Sequence, residues 1–513
     1  MLGTFREHSP KEVIVRFLKS VFSPVLVLAA LPIWSQSANA QTTAPATAPA
    51  APSAPVSEAA SVFEARLSKE LGVGGGLTAD SLAASAVSTN YTVQSKHSQA
   101  ESAAAQTEKA RWGYLPRVTL QARYTRLSSI GVPVLGSLVA APGQPEGVLP
   151  PGATLVNVPL SFPQVLDQYS LTAGLLVPVS DYFFRVAPAT SASAANERAA
   201  RAETDSTARA VATDAKGLYY AWVGARLTAI VAELSLEQAR AHGEDVKHAL
   251  EAGTASPADK LRVDSRIADA ERMVESARHA SADLEEQIRI ARHDPDNATY
   301  AIGEDVRGEV PAGALSDDLR VLVRQALEHR PEFQALAARS EAASRAVSLE
   351  RAAYLPRLDL FADGTYANPN QRYFPQQKEW KGTWDAGAQL TWVVTDVPAA
   401  AASTRAAEAN LASLRSEVRA LEDRVRREVS QALQARLDAR SAVRTSKTGL
   451  DAAEESYRVR RALFQNGRAT STELLDAELE LTRARLAALN AGLELRMSTA
   501  RLSYAVGEGK PGS

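Results

Sequence analysis

Two short stretches of sequence decide how this chain folds: WGYLPRVTL at Trp112–Leu120 and AAYLPRLDL at Ala352–Leu360. Both contain Tyr-Leu-Pro-Arg, and in both a helix-like pattern changes into the alternation typical of a strand. Proline has no backbone N–H to donate and keeps the preceding residue out of the α-helical region. Pro116 and Pro356 are therefore predicted to mark the switch from helix to strand, once in each half of a duplicated chain.

The duplication extends well beyond these two stretches. Gly253 and Gly467 stand in similar contexts, and they are closer in sequence than the matching Tyr114 and Tyr354. The first half therefore carries a longer insertion, which is the Gly/Pro-rich loop at residues 127–167. Each half is predicted to follow the order helix, strand, loop, strand, long helix, glycine tip, long helix.

Four segments alternate apolar and polar residues over about 9–11 positions, the length of a tilted membrane strand. A soluble sheet with one apolar face is the alternative, and it fits any single strand; four such strands in an exported chain favour a membrane barrel. Open strand edges in lipid would cost several kcal/mol for each unpaired group, so four strands require an oligomer. A trimer would close a barrel of twelve strands. The predicted strands are about 115–126, 169–179, 356–367 and 384–395.

Long helices are predicted to follow the strands. Pro188 and Pro398 mark the return to helix, and an unbroken helix from Pro398 to Gly467 would reach roughly 100 Å at 1.5 Å per residue. Gly253 and Gly467 permit sharp reversals. Returning helices are predicted to start at Ser256 and Pro257 in the first half, and at Ser471 or Thr472 with Glu473 in the second. Apolar residues on a seven-residue grid indicate a coiled-coil seam: Leu411, Leu414, Val418, Leu421, Val425, Leu475, Leu479, Leu486, Leu489 and Leu493.

Composition excludes several classes of function. Lys+Arg number 57 and Asp+Glu 59, so the chain has no overall basic field to attract nucleic acid. Cysteine is absent, which excludes disulfides, thiolate metal sites and a lipid-modified cysteine. No phosphate loop or nucleophile motif is present, so neither enzymatic activity nor a cofactor is predicted. The histidines of the helical segments lack metal-ligand spacing and are interpreted as surface residues: His242, His248, His279, His293 and His329.

The N-terminal 40 residues have the pattern of a cleaved signal peptide. Basic residues precede the apolar run Val21–Trp34, and Ala38-Asn39-Ala40 is a small-x-small cleavage pattern. A single membrane anchor is the alternative, but the run is shorter than the roughly 20 residues that a spanning helix needs. The predicted organisation is signal peptide 1–40, disordered Ala/Pro-rich linker and N-terminal segment 41–76, first repeat 77–293, inter-repeat equatorial linker 294–317, second repeat 318–506 and C-terminal tail 507–513.

These residues resemble the TolC-like outer membrane factor family, from about Leu77 to Val506. The resemblance rests on the repeated Tyr-Leu-Pro-Arg, the short strands before Asp181 and Asp396, and LFQNG followed by ELLDA at residues 463–477. It implies a homotrimer with a β-barrel in the outer membrane and an α-helical barrel through the periplasm. It also implies a periplasmic adaptor (membrane fusion) protein and an inner-membrane pump of RND, ABC or MFS type as partners. This chain departs from the family in two features. It lacks the lipid-bearing cysteine that many relatives carry, and its loop at 127–167 is long.

The function implied is that of a passive outer membrane channel in a tripartite efflux system. A channel for type I protein secretion is one alternative, and a soluble periplasmic coiled-coil adaptor or scaffold is another. An adaptor would need only one helical hairpin flanked by unrelated β modules, whereas this chain has two matched halves.

The resemblance also points to a periplasmic gate. Glu473 and Asp476 lie three residues apart on one helix face and would form a ring on a three-fold axis, with Arg468 or Arg262 as basic partners. The alternative interpretation is that both are solvated carboxylates at a helix start. The chain reversals farthest from the strands are predicted to dock the adaptor: Gly253, Ser256, Phe464, Gly467 and Thr470.

Overall fold

A computed structural model describes residues 58–130, 136–142, 147, 151–159, 165–308 and 315–508. The predicted signal peptide lies outside the described residues, as do the rest of the segment before residue 58, parts of the long loop and of the inter-repeat linker, and residues 509–513.

The same order of elements occurs twice along the chain. Two shorter helices lead into a strand, and a second strand leads into a pair of very long helices. The first half comprises α2 (Ala79–Thr89), α3 (Tyr91–Arg111), β1 (Arg117–Arg126), β4 (Asp167–Val177), α4 (Val179–Asp181), α5 (Ala187–Glu251) and α6 (Pro257–Arg292). The second comprises α7 (Leu319–His329), α8 (Pro331–Arg351), β5 (Arg357–Asn368), β6 (Lys381–Thr391), α9 (Val397–Gln465) and α10 (Ser471–Ala505). Helix α1 (Glu58–Glu70) precedes both halves, and a small hairpin, β2 (Ser137–Ala140) with β3 (Val156–Pro159), lies in the long loop.

The duplicated Tyr-Leu-Pro-Arg stretches form the predicted junctions. A 3-10 turn ends α3 at Tyr114, and Pro116 stands directly before the first residue of β1. A matching 3-10 turn ends at Tyr354, and Pro356 stands directly before β5. In each half the chain therefore leaves its helix within two residues of the proline.

The return to helix differs between the halves. Pro398 is the second residue of α9. Pro188 is the second residue of α5, but the helical run already begins at α4, and Pro178 is the residue before that run. The π-helical turn Tyr182–Val186 joins α4 to α5. A widened turn accommodates a proline ring that a regular α-helix would not tolerate.

The four long strands form one antiparallel sheet in the order β1-β4-β5-β6. Partner residues lie on the same face, so the register assigns every side chain to one of two faces. One face carries the row Leu120, Ala173, Gly364 and Trp384, and the opposite face carries Thr119, Gly174, Asp363 and Asp385. One face of the sheet is therefore mainly apolar, and the other is mainly polar, with Leu176 and Phe361 as apolar exceptions.

The long helices form two antiparallel hairpins, α5 with α6 and α9 with α10. Their longest members have 65 and 69 residues, roughly 100 Å each. Among the described residues, no helix combines the length and apolarity needed to cross a membrane. Helix α1 lies within the segment 41–76, interpreted above as linker and N-terminal segment, and it packs against the hairpins through the buried Phe63 and Leu67. The largest core cluster centres on Tyr219 and Trp222 of α5.

Candidate functional site: the two helical tips and the apolar sheet face

The first tip is built by a glycine and a capping box. Gly253 has φ +74°, a left-handed conformation that favours glycine. The amide of Thr254 donates to the Ala249 carbonyl at 2.8 Å, which closes the end of α5. Ser256 and Asp259 then cap α6 reciprocally, each side chain accepting from the other residue's amide. The pKa of the Asp259 carboxyl is lowered, mainly by the hydrogen bond from the Ser256 hydroxyl and also by the hydrogen bond from the Ser256 backbone amide.

The second tip repeats this construction. Gly467 has φ +69°, and the amide of Arg468 donates to the Leu463 carbonyl at 2.8 Å. The capping residue of α10 is Thr470, and not Ser471 or Thr472 as predicted, because the Thr470 hydroxyl accepts from the Glu473 amide. Ser471 instead points inward and is buried.

A groove of about 900 Å³ joins the two tips. Arg262 of α6 donates to the Thr472 hydroxyl at 3.3 Å, so the first hairpin contacts the second directly beside Glu473. Three of the five predicted docking positions line the groove, and so do the immediate neighbours of the other two, Gly253 and Ser256: the lining includes Thr254, Ala255, Phe464, Gly467 and Thr470.

Glu473 is held from two sides. One carboxylate oxygen accepts from the Thr470 amide at 2.9 Å, and the other accepts from the Arg460 guanidinium at 2.8 Å. The pKa of this carboxyl is lowered, mainly by the hydrogen bond from the Thr470 amide and also by the hydrogen bond from the Arg460 guanidinium. Within the protomer, the basic partner of Glu473 is therefore Arg460 rather than Arg468 or Arg262.

The other predicted gate residues lie around the same tip. Asp476 is exposed one helical turn after Glu473, and Arg468 lines the groove. Arg262 bonds to Asp259 of its own helix, at 3.5 Å, as well as to Thr472. Arg460 was missed by sequence reasoning, although it is seven residues before Gly467 and Glu473 is six residues after it, which places them opposite each other in an antiparallel hairpin.

The prediction that the helical histidines are surface residues is wrong for His242. This side chain is 2% exposed and lies between α5 and α10, where it contacts Glu478 and Ser471. The spacing of apolar residues in α5 does not indicate that a polar residue lies in the contact between α5 and α10. Arg485 of α10 is also 2% exposed; its guanidinium lies 3.8 Å from the carboxylate of Glu454 in α9 and over the ring of Phe63 in α1.

The apolar face of the sheet is the second functional surface. In β4 the exposed residues are Tyr169, Leu171, Ala173 and Leu175, while the polar residues between them are more covered. On the edge strands, Leu120 of β1 is 82% exposed and Trp384 of β6 is 79% exposed. This is the inverse of a sheet in water, where apolar side chains are covered.

Exposed aromatic residues lie at both ends of the strands. Trp112, Phe183 and Trp392 are exposed where the helices meet the sheet. At the opposite end Tyr124 packs on Tyr169, with ring centroids 5.1 Å apart, and Tyr366 stacks on Trp380 at 5.1 Å. Aromatic residues at the two ends of an exposed apolar band are typical of membrane–water interfaces.

Comparison with known proteins agrees with this geometry. Residues 322–508 match the family model of outer membrane efflux proteins. TtgC, a toluene efflux pump outer membrane protein of Pseudomonas putida, is 23% identical over 367 residues, which cover 67% of this chain and 70% of TtgC. The outer-membrane channel OprN has a TM-score of 0.68 at 19% identity, over 84% of this chain and 90% of OprN. The open-state MtrE outer membrane channel of Neisseria gonorrhoeae has a TM-score of 0.67 at 17% identity, over 84% of this chain and 89% of MtrE.

The fold and these matches agree on the class of fold, that of outer membrane channel proteins. The resemblance seen in the sequence is confirmed: residues 322–508 match the outer membrane efflux protein family, and these relatives and solved structures are outer membrane channel proteins of the TolC-like type. The members of this family are transport proteins.

Proposed function

We propose that this chain is the outer membrane channel of a tripartite efflux system, through which small molecules delivered by an inner-membrane pump and a periplasmic adaptor leave the cell passively. The observation that carries the proposal is the exposed apolar face of the sheet, which includes Leu120, Leu171 and Trp384; in β4 the polar residues between the apolar ones are more covered. Lipid is the environment that stabilises such a face. Hairpins roughly 100 Å long then extend from the sheet into the periplasm.

A homotrimer follows from the edges of the sheet. β1 and β6 are the edge strands of the four-stranded sheet. In lipid, their outward backbone groups would cost several kcal/mol each unless paired. Three copies, with β6 of each pairing to β1 of the next, would form a barrel of twelve strands. The apolar face would then contact lipid, and the row with Asp363 and Asp385 would face the lumen.

The proposed location is the outer membrane, with the hairpins in the periplasm. Export would use residues 1–40 as a cleaved signal peptide, and lipidation is not proposed because the chain has no cysteine. The partners proposed are a periplasmic adaptor (membrane fusion) protein at the tips and an inner-membrane pump of RND, ABC or MFS type.

Three measurements test this function. Membrane fractionation should find the protein in the outer membrane, and the purified protein should form ion-conducting pores in planar bilayers; a soluble periplasmic monomer would overturn the proposal. Deletion of the gene should raise the cell's sensitivity to small toxic compounds. Loss of a secreted protein from the medium, with unchanged sensitivity, would instead indicate type I secretion.

The tips are proposed as the docking surface for the adaptor. Gly467→Val should weaken chemical cross-linking to the adaptor several-fold, because a β-branched residue in the left-handed region costs about 1–2 kcal/mol or more and opposes this reversal. Nothing lies within 4 Å of the position that a Cβ would occupy, so the effect comes from backbone conformation and not from a clash.

Gly467→Asn is the matched control for this prediction. Asparagine tolerates the left-handed conformation, so this variant should cross-link as the parent does. Both variants should remain trimeric. If Gly467→Val cross-links and transports as well as the parent, the second tip does not dock the adaptor.

A further inference from the structure

A buried polar contact joins the two hairpins just above the tips. His242 of α5 and Glu478 of α10 are 2% and 3% exposed, and Nδ1 of the imidazole lies 3.2 Å from Oε1 of the carboxylate. The other ring nitrogen, Nε2, lies 3.1 Å from the hydroxyl of Ser471, which is the first residue of α10. Two titratable side chains therefore meet inside the contact between a helix of the first repeat and a helix of the second.

The charged neighbours of this pair belong to three helices. From α5, Asp245 and Glu237 line the same cavity of about 250 Å³, and Glu237 is already paired with Arg66 of α1 at 2.8 Å. From α9, Arg461 and Tyr457 line it. Burial raises the pKa of Tyr457 above its ordinary value, so this phenol stays neutral at physiological pH.

Several further neighbours of the pair are apolar. The ring of Phe464 lies 5.2 Å from the imidazole, centroid to centroid. From α6, Ile267 and Val263 approach α5 at Gly243, the residue next to His242. Helix α6 therefore packs on α5 through apolar side chains beside His242.

When the imidazole of His242 is neutral, the negative charge of the Glu478 carboxylate is not compensated within this contact. Nδ1–H would then donate to Oε1 of Glu478, and Nε2 would accept from the Ser471 hydroxyl. Oε2 of Glu478 is buried and has no hydrogen-bond partner in the described part of the chain. A buried carboxylate in this state is costly because few groups offset its charge.

A proton on the imidazole removes this cost without breaking a hydrogen bond. Nδ1–H still donates to Glu478, now as a charge-assisted bond, and Nε2–H donates to Ser471, whose hydroxyl can turn to accept. The pair becomes neutral overall. When α5 and α10 separate, water solvates both groups and the advantage of the bound proton is lost.

We propose that His242 and Glu478 form a proton-binding latch between the two hairpins, which holds α10 against α5 when it is protonated and loosens when the proton leaves. Imidazole changes charge between about pH 5 and 8. Glu473 stays ionised over this range because its pKa lies below its ordinary value. Ser471 belongs both to the latch and to the first turn of α10, so a movement of the helix start breaks the latch.

The consequence for transport rests on the proposed channel function. If the start of α10 lines a periplasmic entrance, acid should favour the closed entrance and neutral pH should favour opening. The latch itself concerns only the contact between α5 and α10, so it can be tested without measuring transport.

Hydrogen exchange measured by mass spectrometry on the full protein tests the latch. After correction for the intrinsic rate at each pH, peptides covering residues 471–482 should be more protected at about pH 5.5 than at about pH 7.5. We expect a ratio of about fivefold, the effect of one buried hydrogen bond becoming charge-assisted. In His242→Gln and in Glu478→Gln the ratio should fall to about one.

The matched control is His248→Gln. His248 lies on the same helix, but its side chain is 71% exposed, so this variant should keep the parent's ratio. The latch is overturned if the parent shows no pH dependence, if His242→Gln keeps it, or if His248→Gln loses it. Failure of the channel proposal would appear separately, as the absence of conductance in planar bilayers with the exchange result unchanged.

Discussion

Ala173→Arg should abolish assembly in the outer membrane. Ala173 lies near the middle of β4, on the exposed apolar face, between Leu120 of β1 and Gly364 of β5. An arginine facing lipid near the middle of a membrane strand costs roughly 2–4 kcal/mol, and a trimer would incur this cost three times. We expect the variant to be missing from the outer membrane fraction and to give no trimer band on gels.

Thr172→Arg is the matched control, because Thr172 is the adjacent residue and faces the polar side of the same strand. An arginine there would enter a water-filled lumen, so trimer yield should stay close to that of the parent. If both variants assemble equally well, the apolar face does not contact lipid. If both fail, the strand is sensitive to any long side chain and the faces remain unassigned.

The strands and tips could be predicted because their signals are local. Alternation along a strand and a glycine before a capping residue each span only a few residues. The errors at the boundaries are also local. β4 is Asp167–Val177 rather than about 169–179, because Pro178 cannot continue the strand ladder. β6 begins at Lys381, three residues before the predicted start, because Lys381 and Thr383 continue the polar face of the sheet.

The apolar spacing that indicates helix α1 is short, and the Ala/Pro-rich segment before it favours disorder. Phe63 and Leu67 of α1, and Leu71 directly after its last residue, recur every four residues, which indicates one helix face, and all three are buried. They follow directly after an Ala/Pro-rich segment whose composition predicts a disordered spacer. The change from spacer to helix therefore had to be read from a single stripe of three residues.

The contacts at the tips depend on which helices meet, and no periodicity within one helix encodes that. His242 and Glu478 are separated by 236 residues, and their contact requires the relative position of α5 and α10 in space. The pairing of Arg460 with Glu473 is closer in sequence, at 13 residues, and follows from the position of the reversal at Gly467. The position of the reversal at Gly467 could have identified the pairing of Arg460 with Glu473, but not the contact of His242 with Glu478.

We propose that Glu473 and Asp476 form a ring of carboxylates at the periplasmic entrance, and that Glu473→Gln with Asp476→Asn raises conductance in planar bilayers and lowers cation selectivity. These amides remove the charge, while a glutamine at 473 can still accept from the Thr470 amide and keep the start of α10 capped. Alanine at the same positions would remove the cap together with the charge, and would confuse the two effects.

Selectivity for cations over anions should fall by roughly fivefold in the double variant, the ratio that a single charge at contact distance in water produces. Arg460→Ala is the control, because it removes the guanidinium bonded to Glu473 at 2.8 Å and leaves both carboxylates in place. This variant should raise conductance, since α9 no longer restrains α10 through the ion pair, but it should keep or increase the preference for cations. A double variant that matches the parent in both conductance and selectivity would mean that these carboxylates do not line the entrance. A loss of selectivity in Arg460→Ala equal to that of the double variant would assign the effect to tip packing rather than to a ring of charge.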